Sequence, residues 1–433
     1  MGGGLLQLVA YGAQDAYISG NPQITFWKGL FKRHTNFAME PFRINFSGQP
    51  SWGTKQTAIV GRHADLLYST YVEVVLPYLG TNDLEYEWSP GDLGYKLIRH
   101  VELDIGGQII DRMYSEFMVI WSRLTLPFDA AFKLNAMINP TIGNDSTCAS
   151  DGRKKLPNVL YIPLPFFFTR NPGAALPLIA LQYHEVKINV LWNDPQFFAG
   201  NFENEFVSKC PPPTQAALYI DYIYLDTEER RRMAQASHEY LIEQTQFNED
   251  KGIRGANNRI DLTFNHPVKE LIWVVQPASY TDCKLAARSG ETRLAPFTYD
   301  RALVYEQWLQ INGQDRLDRR YGDYFSKVQR FQHHTGCGDS VDFTPMGDIN
   351  FKGIDDGLYC YSFALRPEEH QPSGTCNFSR IDTATIVMNM AGGVSPDIGP
   401  SEADAGDWNV RVYAVNYNVL RVMSGMGGLA YSN

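Results

Sequence analysis

The sequence predicts an all-β protein built from two tandem β-sandwich units with short inserted helices. Three observations carry that reading. With 13% aromatic residues and 36 glycines, the composition tilts toward strands and tight turns. A chain of 433 residues exceeds one ordinary core and suits two units of about 200 residues each. The third observation is that landmarks of the first half return, in order, in the second.

YVEVVLP at 71–77 returns as LIWVVQP at 271–277, which sets Val74, Val75 and Pro77 against Val274, Val275 and Pro277 at an offset of 200. LDIGGQIIDRMYSEF at 103–117 returns as LQINGQDRLDRRYGDYF at 309–325, with Asp111, Arg112 and Tyr114 against Asp318, Arg319 and Tyr321. Pro172 and Asn189 meet Pro372 and Asn389, and YIDYIYL at 219–225 meets AVNYNVL at 414–420. Collinear matches at such offsets indicate a duplicated domain rather than a short solenoid repeat. The matched runs are short and β-branched, and IGGQ and INGQ supply the positive-φ glycine of a two-residue hairpin. A helical patch follows each hairpin, YSEFMVIWSRL at 114–124 and YGDYFSKVQRF at 321–331, with apolar residues three and four apart.

The remaining elements follow in order. MGGGLLQLVAYG has no basic region or apolar core of a secretion signal, so residues 1–25 read as a flexible arm. A myristoylation pattern would need Ser or Thr where Leu6 stands. Residues 26–225 make the first sandwich, 226–240 a helical linker and 241–433 the second sandwich. In the linker, Asp226 or Thr227 is the expected N-cap, and Glu228 and Glu229 are spaced to pair with Arg230–Arg232. LPFFFTRNPGAALPLIAL at 164–181 reads as buried, and YHEVKINV at 183–190 alternates as a half-buried strand with His184 on the face of Val186, Ile188 and Val190, a hydrogen-bonded core or inter-sheet histidine rather than a ligand. Gly-, Pro- and Ser-rich stretches at 139–158, 277–298, 335–357 and 391–407 read as surface loops. The apolar run LIWVV is strand length, far below the roughly 18 residues of a membrane span.

Chemistry is sought in vain. Cys148, Cys210, Cys283, Cys337, Cys360 and Cys376 show no CxxC spacing and read as buried thiols. The net charge of −10 disfavours direct nucleic-acid binding, which needs clustered cations. A double sandwich with a metal centre would need an HxH pair, which is missing; His333 and His334 are adjacent and read as a turn pair. HExxH, GxSxG and GxxxxGK[ST] are also missing. The carboxylate pairs Asp355–Asp356 and Glu368–Glu369 and the basic GRKK at 152–155 read as surface charge. No cofactor or catalytic residue is expected. Of the sequons at Asn45, Asn144 and Asn377, Asn144 alone is expected to be exposed, as a glycan acceptor. The alternative to a structural role is a carbohydrate-binding or metal-dependent double β-sandwich protein.

The segments LVAYGAQDAYISGNPQITFWK, RNPGAALPLIALQYHEVKI, YLDTEERRRMAQ, FNHPVKELIWVVQ, YSFALRPEEHQPSGTCNFSRID and VYAVNYNVLRVMSGMGGLAYSN resemble the major capsid proteins of nucleocytoplasmic large DNA viruses, in particular the chlorella-virus, marseillevirus and mimivirus branches. The resemblance implies a double jelly roll, each unit eight-stranded, and no enzymatic activity. It implies a homotrimer with a pseudo-hexagonal outline that tiles an icosahedral shell, assembled in the host cytoplasm. Minor capsid and penton proteins are the implied partners, with an internal membrane apposed indirectly. The arm lies beneath the capsomer in this picture, with Leu5, Leu8, Tyr11, Tyr17 and Ile24 as its apolar anchors and Gly2–Gly4 as its freedom to adapt.

Overall fold

The computed structural model describes residues 2–77, 92–139, 158–195, 210–253, 257–277, 304–336, 341–343, 349–351, 357–390 and 408–431. Asn144, Cys148, Cys283, Cys337, GRKK, Asp355–Asp356 and most of the four expected surface loops lie outside them. The chain forms two compact units, Met1–Phe37 and Ala38–Asn433.

In the first unit, α1 (Gly3–Val9) and α2 (Ala13–Ser19) replace the unstructured arm that the glycines suggested. Gly3 and Gly4 are helical, and the Asp15 carboxylate accepts the Gly12 N–H at 2.9 Å to cap α2.

The second unit holds four principal antiparallel sheets. The first sandwich uses β1 (Phe37–Asn45), β2 (Lys55–Ile59), β3 (Leu66–Leu76), α3 (Leu93–Leu97), β4 (Ile98–Ile105), β5 (Gln108–Tyr114), α4 (Ser115–Thr125), α5 (Phe128–Ile138), β6 (Asn158–Pro163), α6 (Phe167–Arg170), β7 (Leu176–Pro177), β8 (Val186–Trp192) and β9 (Gln215–Leu225). Its sheets run β1-β9-β3-β6, with β7 on β3, and β2-β8-β4-β5. After α7 (Thr227–Gln235) come β10 (His238–Ile253), β11 (Asn257–Asp261), β12 (Pro267–Pro277), β13 (Val304–Ile311), β14 (Gln314–Asp315), β15 (Arg320–Tyr321), a π turn at Tyr324–Val328, α8 (Gln329–His333), a small hairpin β16 (Val341–Phe343) and β17 (Ile349–Phe351), β18 (Leu358–Ser362), β19 (Cys376–Asn377), β20 (Ala384–Met390), β21 (Trp408–Met423) and β22 (Met426–Leu429). The strand orders β10-β21-β12-β18 and β11-β20-β13-β14 repeat those of the first sandwich. Two eight-stranded jelly rolls in succession result.

The local signals acted as their chemistry requires. Gly106 and Gly107 take φ of 62° and 88° in the first hairpin, and Asn312 and Gly313 take 50° and 76° in the second. Both positions of such a turn need positive φ, which is why Gly and Asn stand there. Alternation in β3 buries Val72, Val74 and Leu76 in the first core. The run at 164–181 is buried through Leu164, Phe166, Phe168 and Leu181. In α7 the Asp226 carboxylate accepts the Thr227 N–H at 2.8 Å. Arg231 pairs with Glu228, whereas Arg230 leaves the helix to grip Asp65 at 2.9 Å.

Five expectations need correction. Pairing the halves at an offset of 200 sets Val74 against Val274, yet Val74 faces its own sandwich core while Val274 faces the other sandwich. Each strand carries a β-bulge, between Leu67 and Thr70 in β3 and between Val268 and Glu270 in β12. Superposing the bulges pairs Leu67 with Val268 and Thr70 with Leu271, an offset of 201, and restores matching faces. His184 precedes β8 rather than lying in it and is half-buried, although it is the hydrogen-bonded inter-sheet histidine expected, with Nδ1 2.9 Å from the Gly427 carbonyl of β22. His334 is no surface turn residue: its side chain is 2% exposed. Glu368 pairs with it instead of standing in solvent. Asn45 and Asn377 are exposed, because each sits on an outward position at a strand end.

Candidate functional site: the seam between the two sandwiches

The two sandwiches share one buried apolar cluster along their contact. α4 supplies one side. Its Phe117, Met118, Ile120, Trp121 and Leu124 are all buried, unusual for a helix at the flank of a small sandwich. Two faces of α4 are covered because the helix packs on its own sheet and on the outer face of the second sandwich. That outer face consists of Ile272, Val274, Leu358, Cys360, Tyr413 and Val415, which join the core of the first sandwich, not of their own. Strand alternation separates them from Leu271, Trp273, Val275, Val412 and Ala414, which fill the second core.

At one end of α4, the Phe117 ring lies 5.6 Å from that of Tyr413, and Phe247 lies 5.2 Å from Tyr413 and 4.6 Å from Tyr114. Glu116 is held by three donors: Tyr413 Oη at 2.6 Å, Gln276 Nε2 at 2.7 Å and Arg411 Nη1 at 3.1 Å. Arg411 also donates to Glu249 at 2.9 Å. The Glu116 carboxylate raises the Arg411 pKa against the opposing effect of burial, whereas burial first and Glu116 second raise that of Tyr413, so Arg411 stays charged and Tyr413 stays a donor.

At the middle of the seam lies Lys269, 0% exposed, its Nζ 2.8 Å from Glu243 Oε1. Arg170 of the first sandwich reaches the other Glu243 oxygen at 3.1 Å and stacks 4.0 Å from the Trp121 ring. Lys269 also sits 5.8 Å and 5.5 Å from the Trp121 and Tyr417 rings. These contacts compensate the desolvation that isolates a buried cation.

A strap closes the far end. The Gly336 N–H donates to the Leu124 carbonyl at 2.7 Å, and Thr335 Oγ1 lies 3.1 Å from the Thr125 carbonyl. A Cβ on Gly336 would collide with the Arg123 and Leu124 backbone, so only glycine fits. Just before the strap, His334 sits between Glu270 at 3.3 Å and Glu368 at 3.2 Å. Burial pushes its pKa down, but hydrogen bonds to Cys360, Glu270 and Glu368 outweigh that and hold it well above the usual histidine value. Within β5, Asp111 accepts the Thr245 N–H at 3.2 Å, and burial lifts its pKa to about 6.

The arm residues marked in the sequence stand elsewhere, in the first unit. Leu5, Leu8, Tyr11, Tyr17 and Ile24 are all exposed. The seam itself was missed: Arg170, Glu243 and Lys269 are far apart in sequence, and Glu116 resembles any first-turn helix acid. The only available signal was the doubled apolar content of α4. Of the cysteines within the described residues, Cys210 and Cys360 are buried and Cys376 is partly so.

Comparison with known proteins agrees with this architecture. A family model described as the major capsid protein N-terminus matches residues 25–226, and one described as the large eukaryotic DNA virus major capsid protein matches residues 229–428. The major capsid protein of Pyramimonas orientalis virus is 46% identical, covering 100% of both chains. That of Paramecium bursaria Chlorella virus 1 is 39% identical, again over 100% of both. Among solved structures, PBCV-1 VP54 matches with a TM-score of 0.76 at 35% identity, over 94% of this chain and 100% of that one. The Faustovirus major capsid protein matches at 0.66 over 95% and 94%, with 12% identity, a likeness of fold alone. The chain belongs to the family of major capsid proteins of large eukaryotic DNA viruses.

Proposed function

We propose that this chain is the self-assembling, non-enzymatic subunit of the icosahedral outer shell, working as a homotrimer whose six jelly rolls give a pseudo-hexagonal capsomer. The observation that carries this reading is the duplicated sandwich, joined in one chain by a seam as dry as a domain core. Duplication lets three chains present a near-six-fold outline, the shape that tiles a flat facet. The boundaries proposed are an arm at 1–25, jelly rolls at 26–225 and 241–433, and a helical linker at 226–240. Exposed Leu5, Leu8, Tyr11, Tyr17 and Ile24 are the arm's anchors for minor capsid and penton proteins, above an internal membrane and without direct contact to nucleic acid. Asn144 is the proposed glycan acceptor. Synthesis and assembly take place in the host cytoplasm.

Permanent interfaces are large and apolar, so the trimer seam is expected to bury well over about 2,000 Å² and to exceed the edges between capsomers. Light scattering on the purified chain tests the reading. A species of about 147 kDa, three chains of 49.0 kDa, is the expected result. A monomer at capsid-forming concentrations would overturn it.

A further inference from the structure

We propose that the outer face of β3, β9 and β6, centred on Tyr71, Tyr161 and Tyr219, is the docking site for the helical stripe Tyr324, Val328 and Phe331 of a second copy of this chain. The inference rests on the capsomer reading and deepens it by naming the seam.

Sheet positions in the two sandwiches correspond through the bulge-matched register. With Tyr71 equivalent to Ile272, strand pairing carries the correspondence across the sheet: Tyr71 opposes Tyr219, as Ile272 opposes Tyr413. Likewise Glu73 opposes Tyr161, as Val274 opposes Leu358. The three tyrosines therefore occupy the places that α4 covers in the second sandwich. Helix positions are matched by residue count, with a π turn at Tyr324–Val328 where α4 is α-helical. Counting from Tyr114 and Tyr321, each at the end of its hairpin, Phe117, Trp121 and Leu124 fall on Tyr324, Val328 and Phe331.

Both surfaces are open where their in-chain equivalents are closed. Phe331 is 89% exposed against 1% for Leu124, and Tyr161 is 39% exposed against 1% for Leu358. Isolated apolar exposure is ordinary, but here each open surface is the counterpart of a buried one, and each fits the other's missing partner. The tyrosines are already arranged as a platform: Tyr71 and Tyr219 stack at 5.2 Å with parallel rings, and Tyr161 meets Tyr71 edge-on at 6.1 Å.

Charge points the same way. Glu73 and Asp221 lie close enough to Tyr71 to act on its hydroxyl, which makes the sheet face acidic. The helical side carries Arg320 over the Tyr324 ring at 5.3 Å as its cation, beside a Lys327–Asp323 pair at 3.0 Å. In the in-chain seam the polarity is reversed, with Glu116 on the helix and Arg411 on the sheet. Complementary signs favour one partner and one orientation.

The stripe and the platform are different surfaces of one molecule, so the contact is head-to-tail. Repetition of the in-chain step closes a ring when the rotation closes, and three chains of two sandwiches use every stripe and every platform.

The test is disulfide trapping in the full chain. The contact equivalent to Phe117 with Tyr413 is Tyr324 with Tyr219, so the double variant Tyr219→Cys/Tyr324→Cys should form covalent dimers and trimers on oxidation. Neither single variant should. A trimeric wild type whose double variant stays uncross-linked puts the seam elsewhere and overturns the inference while leaving the capsomer intact. A monomeric wild type overturns both. Independently, Phe331→Asp should raise the concentration needed for trimer formation by about tenfold or more; unchanged assembly would count against the stripe.

Discussion

The outer face of β12 and β21 and the outer face of β3 and β9 hold the same place in two copies of one fold, yet the first is core and the second is surface. Ile272, Val274 and Tyr413 are wholly buried under α4, while Tyr71, Glu73 and Tyr219 keep partial contact with solvent. The residue types differ accordingly. Where burial is permanent from the moment the chain folds, aliphatic side chains and ion pairs with several partners are tolerated, since Glu116, Arg411, Arg170 and Glu243 find their partners within the same chain. Where a face must first survive in water, amphipathic tyrosines with acidic neighbours take over, because they stay soluble alone and still bring apolar area to a partner. The lesson is that duplication conserved the geometry of the contact, while the time at which it forms selected its chemistry.

The sharpest way to break the comparison is to attack the seam at its buried charge. Lys269→Met should cost about 3–5 kcal/mol in urea unfolding, since Glu243 loses one of its two cations inside the core. The equivalent treatment of the platform, Tyr161→Ala, should change the isolated chain by no more than about 0.5 kcal/mol. Equal losses at both places would erase the distinction.

Next in size comes Asp111, buried beside the second sandwich, against its counterpart Asp318, exposed in the second hairpin. Burial raises the Asp111 pKa to about 6, so the folded chain holds this proton more tightly than the unfolded chain. Its contribution to stability is therefore greatest at low pH, falls as pH rises from the unfolded value to about 6, and is flat above. Asp111→Asn should remove that fall and gain up to about 3 kcal/mol at pH 8. Asp318→Asn should leave the pH profile of unfolding unchanged, and a shared response would show that the two hairpins are not differently buried.

His334 adds a test of opposite reach. Its raised pKa means that the ion pairs with Glu270 and Glu368 stabilise the fold fully below about pH 6.5 and are lost as pH climbs through the raised value. Thermal unfolding should show an alkaline decline that His334→Gln flattens. Smaller still, Tyr413→Phe removes one donor from Glu116 and should cost about 2 kcal/mol, with the remaining Arg411 and Gln276 bonds intact. Tyr219→Phe, its counterpart on the open face, should be neutral in the isolated chain by the same denaturation measurement.

Much of the fold was legible because it depends on local rules. Period-two alternation in LLYSTYVEVVL, positive-φ residues in IGGQ and INGQ, and the Asp226 cap each follow from a few neighbouring residues. The collinear landmarks revealed the duplication, but letter matching chose an offset of 200 because ValVal and Pro repeat there. A bulge is invisible to such matching, and one residue of slip turns the whole strand over. The arm's helices escaped notice because Gly3 and Gly4 argue against them locally. His334 and Glu368 looked like surface residues because nothing near either in sequence foretells a partner 34 residues away.

By itself, the sequence determined the strands, the turns, the two-unit organisation and the family, since each is written in short-range patterns or in whole-chain similarity. Only the tertiary structure decided which face of each sheet is inside and which is a seam, and why Lys269 can be buried, Gly336 must be glycine and Phe331 stands open. Those outcomes depend on which distant surfaces exclude water from one another, and exclusion of water is a property of the assembled shape, not of any segment.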